Sequence, residues 1–173
     1  MCRPDPIVIA VTGAIGAGKT TLASALAGAY GALHLSSDDV RLSLSRKARR
    51  HGDRVFEELH RRFERAIAQG RGVVLDSTGM SPRFRALLRA HRERIVHVHL
   101  LLGDPRRFEE RELQRTDRIA GALPFAAFAR SCNVEFHEPA DVVLQTDELT
   151  ADEAYEEVRG LLHGLIGRSA TSR

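Results

Sequence analysis

The stretch Gly13-Ala14-Ile15-Gly16-Ala17-Gly18-Lys19-Thr20 fits G-x-x-x-x-G-K-[ST] at every position. Before it, residues 6–12 form a continuous apolar run rich in β-branched side chains, as expected of a strand buried on both faces. After it, residues 20–30 carry helix formers, and Gly31 stands where a helix would stop. Strand, glycine loop and helix in this order predict a cradle for a polyphosphate. Glycine lets the backbone approach an anion, so amides from Gly13, Ala14, Gly16, Ala17 and Gly18 and the positive end of the helix can face a β-phosphate. Lys19 is expected to reach the β- and γ-phosphate oxygens, Thr20 to offer its hydroxyl to Mg²⁺, and Thr21 to support the start of the helix. A glycine-rich turn with no ligand is the competing explanation, and the full match in the required context outweighs it. Lys19 is also conspicuous because, of 26 basic residues, only Lys19 and Lys47 are lysines.

The rest of the chain alternates in the same way. Strands are expected at 32–35, 71–76, 95–102 and 142–145, and helices at 38–45, 54–68, 82–92, 104–116, 124–136 and 150–165, with Ser81 as a helix cap before Pro82. Short connections between alternating strands and helices predict the α/β class, and the glycine motif between its first strand and helix makes the expected architecture a three-layer P-loop NTPase fold. Its central sheet would be five-stranded and mostly parallel, with helices on both faces. At 173 residues this is one domain, 1–173, with a mobile basic loop at about 45–54. Two cysteines, Cys2 and Cys132, are too few for a disulfide scaffold and have no zinc-ligand spacing. No apolar run reaches the roughly 18 residues that cross a bilayer, and the N-terminus has no leader pattern, so a cytoplasmic protein without membrane contact is expected.

Several classes of nucleotide-binding protein are disfavoured. A GTPase needs a guanine motif of the Asn-Lys-x-Asp type, and the single asparagine, Asn133, has no such context. The transporter signature Leu-Ser-Gly-Gly-Gln is absent. Asp76, at the end of an apolar strand, reads as an acid that could hold a Mg²⁺-bound water or orient an arginine in the acceptor site, although Asp76 or Ser77 could instead cap the next turn. Asp38 and Arg41 are three residues apart at a helix start beyond the second strand. They share a face, while Asp39 points away. A carboxylate there could take the proton of an attacking hydroxyl, and a guanidinium could clamp an anion. An ordinary N-cap cluster would explain the same residues in isolation.

The segment 104–118 is dense in charge, as expected of a helical lid over bound nucleotide, at about 104–122. Arg111 and Arg115 share a face, and Arg115 and Arg118 are the candidates to neutralise the transferred phosphoryl group; a salt-bridged surface helix is the alternative. His97 and His99 alternate along a strand, but without a third ligand they read as packed histidines rather than a metal site.

Together, Gly13 to Thr20, Ser37-Asp38-Asp39-Val40-Arg41, Val74-Leu75-Asp76-Ser77-Thr78, and Glu110-Arg111 through Gln114-Arg115-Thr116-Asp117-Arg118 resemble the polynucleotide 5′-hydroxyl kinase branch of the P-loop kinases. The resemblance implies ATP as donor, Lys19 and Thr20 on the triphosphate and Mg²⁺, and Asp38 as general base. It also implies Arg41 on the acceptor phosphate, Arg115 and Arg118 on the donor phosphates, and a nucleic-acid 5′ end as acceptor. Gly79 departs from the asparagine of several relatives. The Asp-x-x-Arg arrangement also resembles kinases of sugars, antibiotics and nucleotide sugars, including zeta-toxin-like enzymes, so a small hydroxylated acceptor is the alternative. A nucleotide-dependent switch or regulatory ATPase is the reading from another class.

Overall fold

A computed structural model of the chain describes residues 6–44, 52–114 and 138–171. Five strands, β1 Val8–Gly13, β2 Leu33–Ser36, β3 Val73–Asp76, β4 Ile95–Leu101 and β5 Val142–Gln145, form one sheet in the order β2-β3-β1-β4-β5. Every pairing is parallel. The described helices are α1 Lys19–Tyr30, α2 Ser37–Leu44, α3 Gly52–Ala68, α4 Pro82–Ala90, α5 Pro105–Gln114 and α6 Ala151–Thr171.

The uninterrupted apolar run of β1 follows from the two-residue period of a strand. Ile9 and Val11 join Leu22 and Leu26 of α1 and Val158 and Leu162 of α6 in one core. Val8 and Ala10 join Leu59 and Phe63 of α3 and Phe84 of α4 in the other. Both faces of the sheet are therefore covered, giving three layers.

Parallel strands bring their carboxyl ends to one edge. Asp76 lies in register with Val11 on one side and Ser36 on the other, and Gly13 lies opposite Leu100. The glycine loop after β1, the first turn of α2 directly after β2 and the acid ending β3 thus emerge together. Because β1 is central while the chain crosses first to β2 and later to β4, this edge is also where the winding reverses, the usual place for a ligand crevice.

Some expectations change. The sheet is parallel throughout its described strands. Helix α3 starts at Gly52, so 52–54 are helical, with Asp53 in the first turn where the helix dipole favours an acid. Asp53 also meets Arg83 of α4 at 3.1 Å. The remaining loop positions 45–51 and the helix expected at 124–136 lie outside the described residues. Ser81 occupies the N-cap of α4 but its side chain makes no cap hydrogen bond; Pro82 in the first turn leaves one amide fewer to satisfy. No helix among the described residues is long and apolar enough to cross a membrane.

Gly13 ends β1 at φ +140°, and a Cβ there would lie 2.0 Å from the carbonyl oxygen of Leu100. Gly13→Ala is therefore expected to destabilise the fold by about 2–6 kcal/mol, the sum of backbone strain and overpacking. Urea unfolding checks this as a lowered midpoint; a midpoint matching the parent would contradict the geometry.

Candidate active site

Helix α1 begins in a way that leaves its positive end open. Its N-cap is Gly18 at φ +85°, no side chain caps it, and its first turn holds no acidic residue. The amides of that turn have no intrahelical partner, so they offer an anion several donors at once. Residues 15–21 line a cleft of about 910 Å³ in front of this end.

Gly13 and Ala14 take a different place from the one expected. They are buried beneath the cleft, and the Ala14 amide donates to the Leu100 carbonyl at 3.3 Å, so it does not face a ligand. The Ala14 carbonyl instead organises the loop: it accepts from the Ala17 amide at 3.2 Å and from Lys19 Nζ at 2.7 Å. Gly16 is at φ +82°, and a Cβ there would press on the Phe108 ring at 3.0 Å.

Thr20 donates its hydroxyl proton to Asp76 Oδ2 at 2.6 Å. The Asp76 carboxylate is buried, and His34 Nε2 lies 3.6 Å from the same oxygen without a hydrogen-bond partner. A hydroxyl and a carboxylate at the floor of the cleft are hard oxygen donors, the set that suits Mg²⁺ directly or through its waters.

The cleft runs from α1 to the start of α2, where Asp38 and Arg41 line it and Asp39 does not. The Asp38 amide donates to Ser36 Oγ at 3.2 Å, so the end of β2 fixes the turn that presents its carboxylate. Arg41 Nε is buried with no hydrogen-bond partner. A buried guanidinium nitrogen left unpaired is costly, and an acceptor oxygen from a ligand would relieve it. Phe56, Thr78 and Met80 complete this end.

At the other end stands Arg111, whose role the sequence did not reveal. Its Nη1 donates to the Gly16 carbonyl at 3.1 Å and its Nη2 to the carbonyls of Thr146 and, at 3.3 Å, Leu149. It braces the glycine loop against the turn leading into α6. Arg115 and Arg118 lie outside the described residues.

Behind the loop, Thr12 is buried between two imidazoles, with its Oγ1 2.8 Å from both His97 Nε2 and His99 Nδ1. His97 Nδ1 faces the Pro139 carbonyl at 3.2 Å, so that nitrogen carries the hydrogen. In the neutral ring Nε2 then accepts from the Thr12 hydroxyl, whose oxygen accepts from His99 Nδ1–H. Burial holds both rings below the ordinary histidine pKa, and His99, with His97 and Lys19 adding repulsion, falls to about 4.

Between about pH 6.5 and 4 the unfolded chain protonates His99 while the folded chain does not, so stability rises with pH across this window and is lost as pH falls. The melting temperature is expected to drop from pH 7 to pH 4.5. His99→Gln should flatten that slope; an equal slope in both proteins would remove His99 as its source.

The sequence profile of a family described as an AAA domain matches residues 8–134. No curated protein matches the sequence. Among solved structures, the chain is similar to a gluconokinase from Sinorhizobium meliloti 1021 at 18% identity and TM-score 0.71, covering 99% of this chain and 100% of that one. It is similar to shikimate kinase from Bacteroides thetaiotaomicron at 19% identity and TM-score 0.65, covering 91% and 98%. It is also similar to the APS kinase of Mycobacterium tuberculosis, solved with AMPPNP and APS, at 20% identity and TM-score 0.61, covering 93% and 99%.

Proposed function

The chain belongs to the AAA domain family, and from that premise we propose that it is an ATP- and magnesium-dependent phosphotransferase whose acceptor is a hydroxyl group of a small molecule. The observation that carries this reading is the single cleft shared by the uncapped end of α1, Lys19, Asp38 and Arg41. Donor phosphates and acceptor hydroxyl would meet there with a proton acceptor beside them.

The first-turn amides of α1 and Lys19 bind the donor phosphates, and Thr20 and Asp76 would hold Mg²⁺, which when bound neutralises phosphate charge. Asp38 accepts the proton of the acceptor hydroxyl as its oxygen bonds to the γ-phosphorus and the bond to the ADP oxygen breaks. Arg41 holds an anionic or strongly polar group of the acceptor. Arg115 and Arg118 act on the transferred phosphoryl group.

The sequence resemblance pointed first to a polynucleotide 5′ end. The solved neighbours named above are kinases named for small molecules, which supports the small-acceptor reading instead. A kinase using free ATP fits a cytoplasmic location.

The test is transfer of label from γ-labelled ATP with Mg²⁺ to a panel of sugars, sugar acids, cyclitols and antibiotics, run beside 5′-hydroxyl RNA and DNA oligonucleotides. Labelling within the small-molecule panel is the expected result. Labelling of oligonucleotides alone would restore the polynucleotide reading, and nucleotide binding without transfer to any acceptor would favour a switch.

A further inference from the structure

On the α3–α4 face of the sheet, three potential ligand atoms converge at a place that does not line the cleft. His60 and Glu64 are one turn apart on α3, and His91 closes the carboxyl end of α4. His60 Nε2 lies 3.3 Å and His91 Nε2 2.9 Å from the same carboxylate oxygen, Glu64 Oε1, and all three atoms lie within 4.8 Å of one another.

The geometry points to a site for a zinc-class divalent ion held by His60 Nε2, Glu64 Oε1 and His91 Nε2, joining α3 to α4. Two imidazoles and one carboxylate are a known zinc donor set, and nitrogen donors select this class over Mg²⁺ and Ca²⁺. Tetrahedral zinc, with bonds of about 2.0–2.1 Å, needs ligand atoms roughly 3.4 Å apart. Both histidine-to-glutamate distances are already close to that, and only the separation of the two imidazoles must contract. His60 is half exposed and can swing to close it. Without a metal His60 Nε2 is hydrogen-bonded to Glu64 Oε1; as a ligand each imidazole offers Nε2 as a lone pair and carries its hydrogen on Nδ1.

The third ligand is held in place in advance. The His91 amide donates to the Leu87 carbonyl at 3.2 Å, and the Ile95 amide donates to the His91 carbonyl at 3.0 Å. Its ring packs edge-on against the buried Phe63 ring, with centroids 5.0 Å apart. Arg83 already links α4 to Asp53 and Glu57 near the start of α3, both at 3.1 Å. A metal at His60, Glu64 and His91 would fasten the same helix pair at its other end. Water would fill the fourth position, because three protein ligands leave it open.

Chelator-stripped full-length protein is titrated with zinc against a chromophoric competitor, with excess Mg²⁺ present to occupy oxygen sites. One zinc per chain at micromolar concentration or below is expected, with a zinc-dependent rise in melting temperature. His60→Gln and His91→Gln should each weaken binding about tenfold or more and abolish that rise. His60→Gln changes a half-exposed surface residue and keeps the test valid if His91→Gln fails to fold. No binding at micromolar zinc, or binding in His60→Gln equal to the parent, would overturn the site and leave the cluster a hydrogen-bonded helix contact.

Discussion

Lys19→Ala is expected to lower kcat/KM for phosphoryl transfer by about 10²–10³-fold, the loss typical when one preorganised donor to developing transition-state charge is removed. The ammonium sits at the start of α1, where it holds the Ala14 carbonyl at 2.7 Å and can exchange that oxygen for a phosphate oxygen. No other lysine is available in the described structure to take its place, since Lys47 lies outside the described residues. Lys19→Arg should rescue little, because a planar fork on a longer stem does not fit the position of a compact ammonium. Steady-state kinetics decide the matter, with thermal melting to establish that the variant is folded. Activity within tenfold of the parent would remove Lys19 from the chemistry.

Asp38→Asn should reduce kcat by about 10²–10⁴-fold while leaving nucleotide affinity close to the parent value. The substitution preserves shape and removes the capacity to take a proton. Asp38 is exposed on the cleft wall at the first turn of α2, so little stability is at stake beyond a modest loss of dipole interaction. Binding of a fluorescent ATP analogue, measured beside turnover, separates the two effects. Unchanged turnover with unchanged binding would make Asp38 structural and favour the switch reading. Loss of both together would mean that Asp38 acts through the fold rather than on the acceptor.

What the sequence disclosed follows from how far apart the interacting residues are. The glycine loop was legible because its function is local: eight consecutive residues supply the turn, the lysine and the hydroxyl. Strand β1 was legible because burial on both faces leaves no polar position from Val8 to Val11. The nearness of Asp38 to the loop could be inferred from topology alone, since parallel strands end at one edge. Contacts made across the sheet were not accessible in this way. Thr12 meets its two histidines 85 and 87 residues away, and Arg111 reaches the Gly16 carbonyl from 95 residues away. Nothing in the local pattern of either segment encodes the partner. Ala14 shows a subtler limit, for the motif locates its amide in the loop, yet the close approach of β4 takes that amide for Leu100.

The junction of Gly13 with Leu100 bears on how this cradle meets a ligand. The loop leaves the sheet at a point where neighbouring main chains pass so near that no side chain fits, and its next residue is tied by its amide to Leu100 and by its carbonyl to the Ala17 amide. Its curvature is thus set by the sheet rather than by an incoming polyphosphate. A receptor shaped during folding gives up little disorder on association, so affinity for the donor should vary with its charge and shape more than with any rearrangement of the loop.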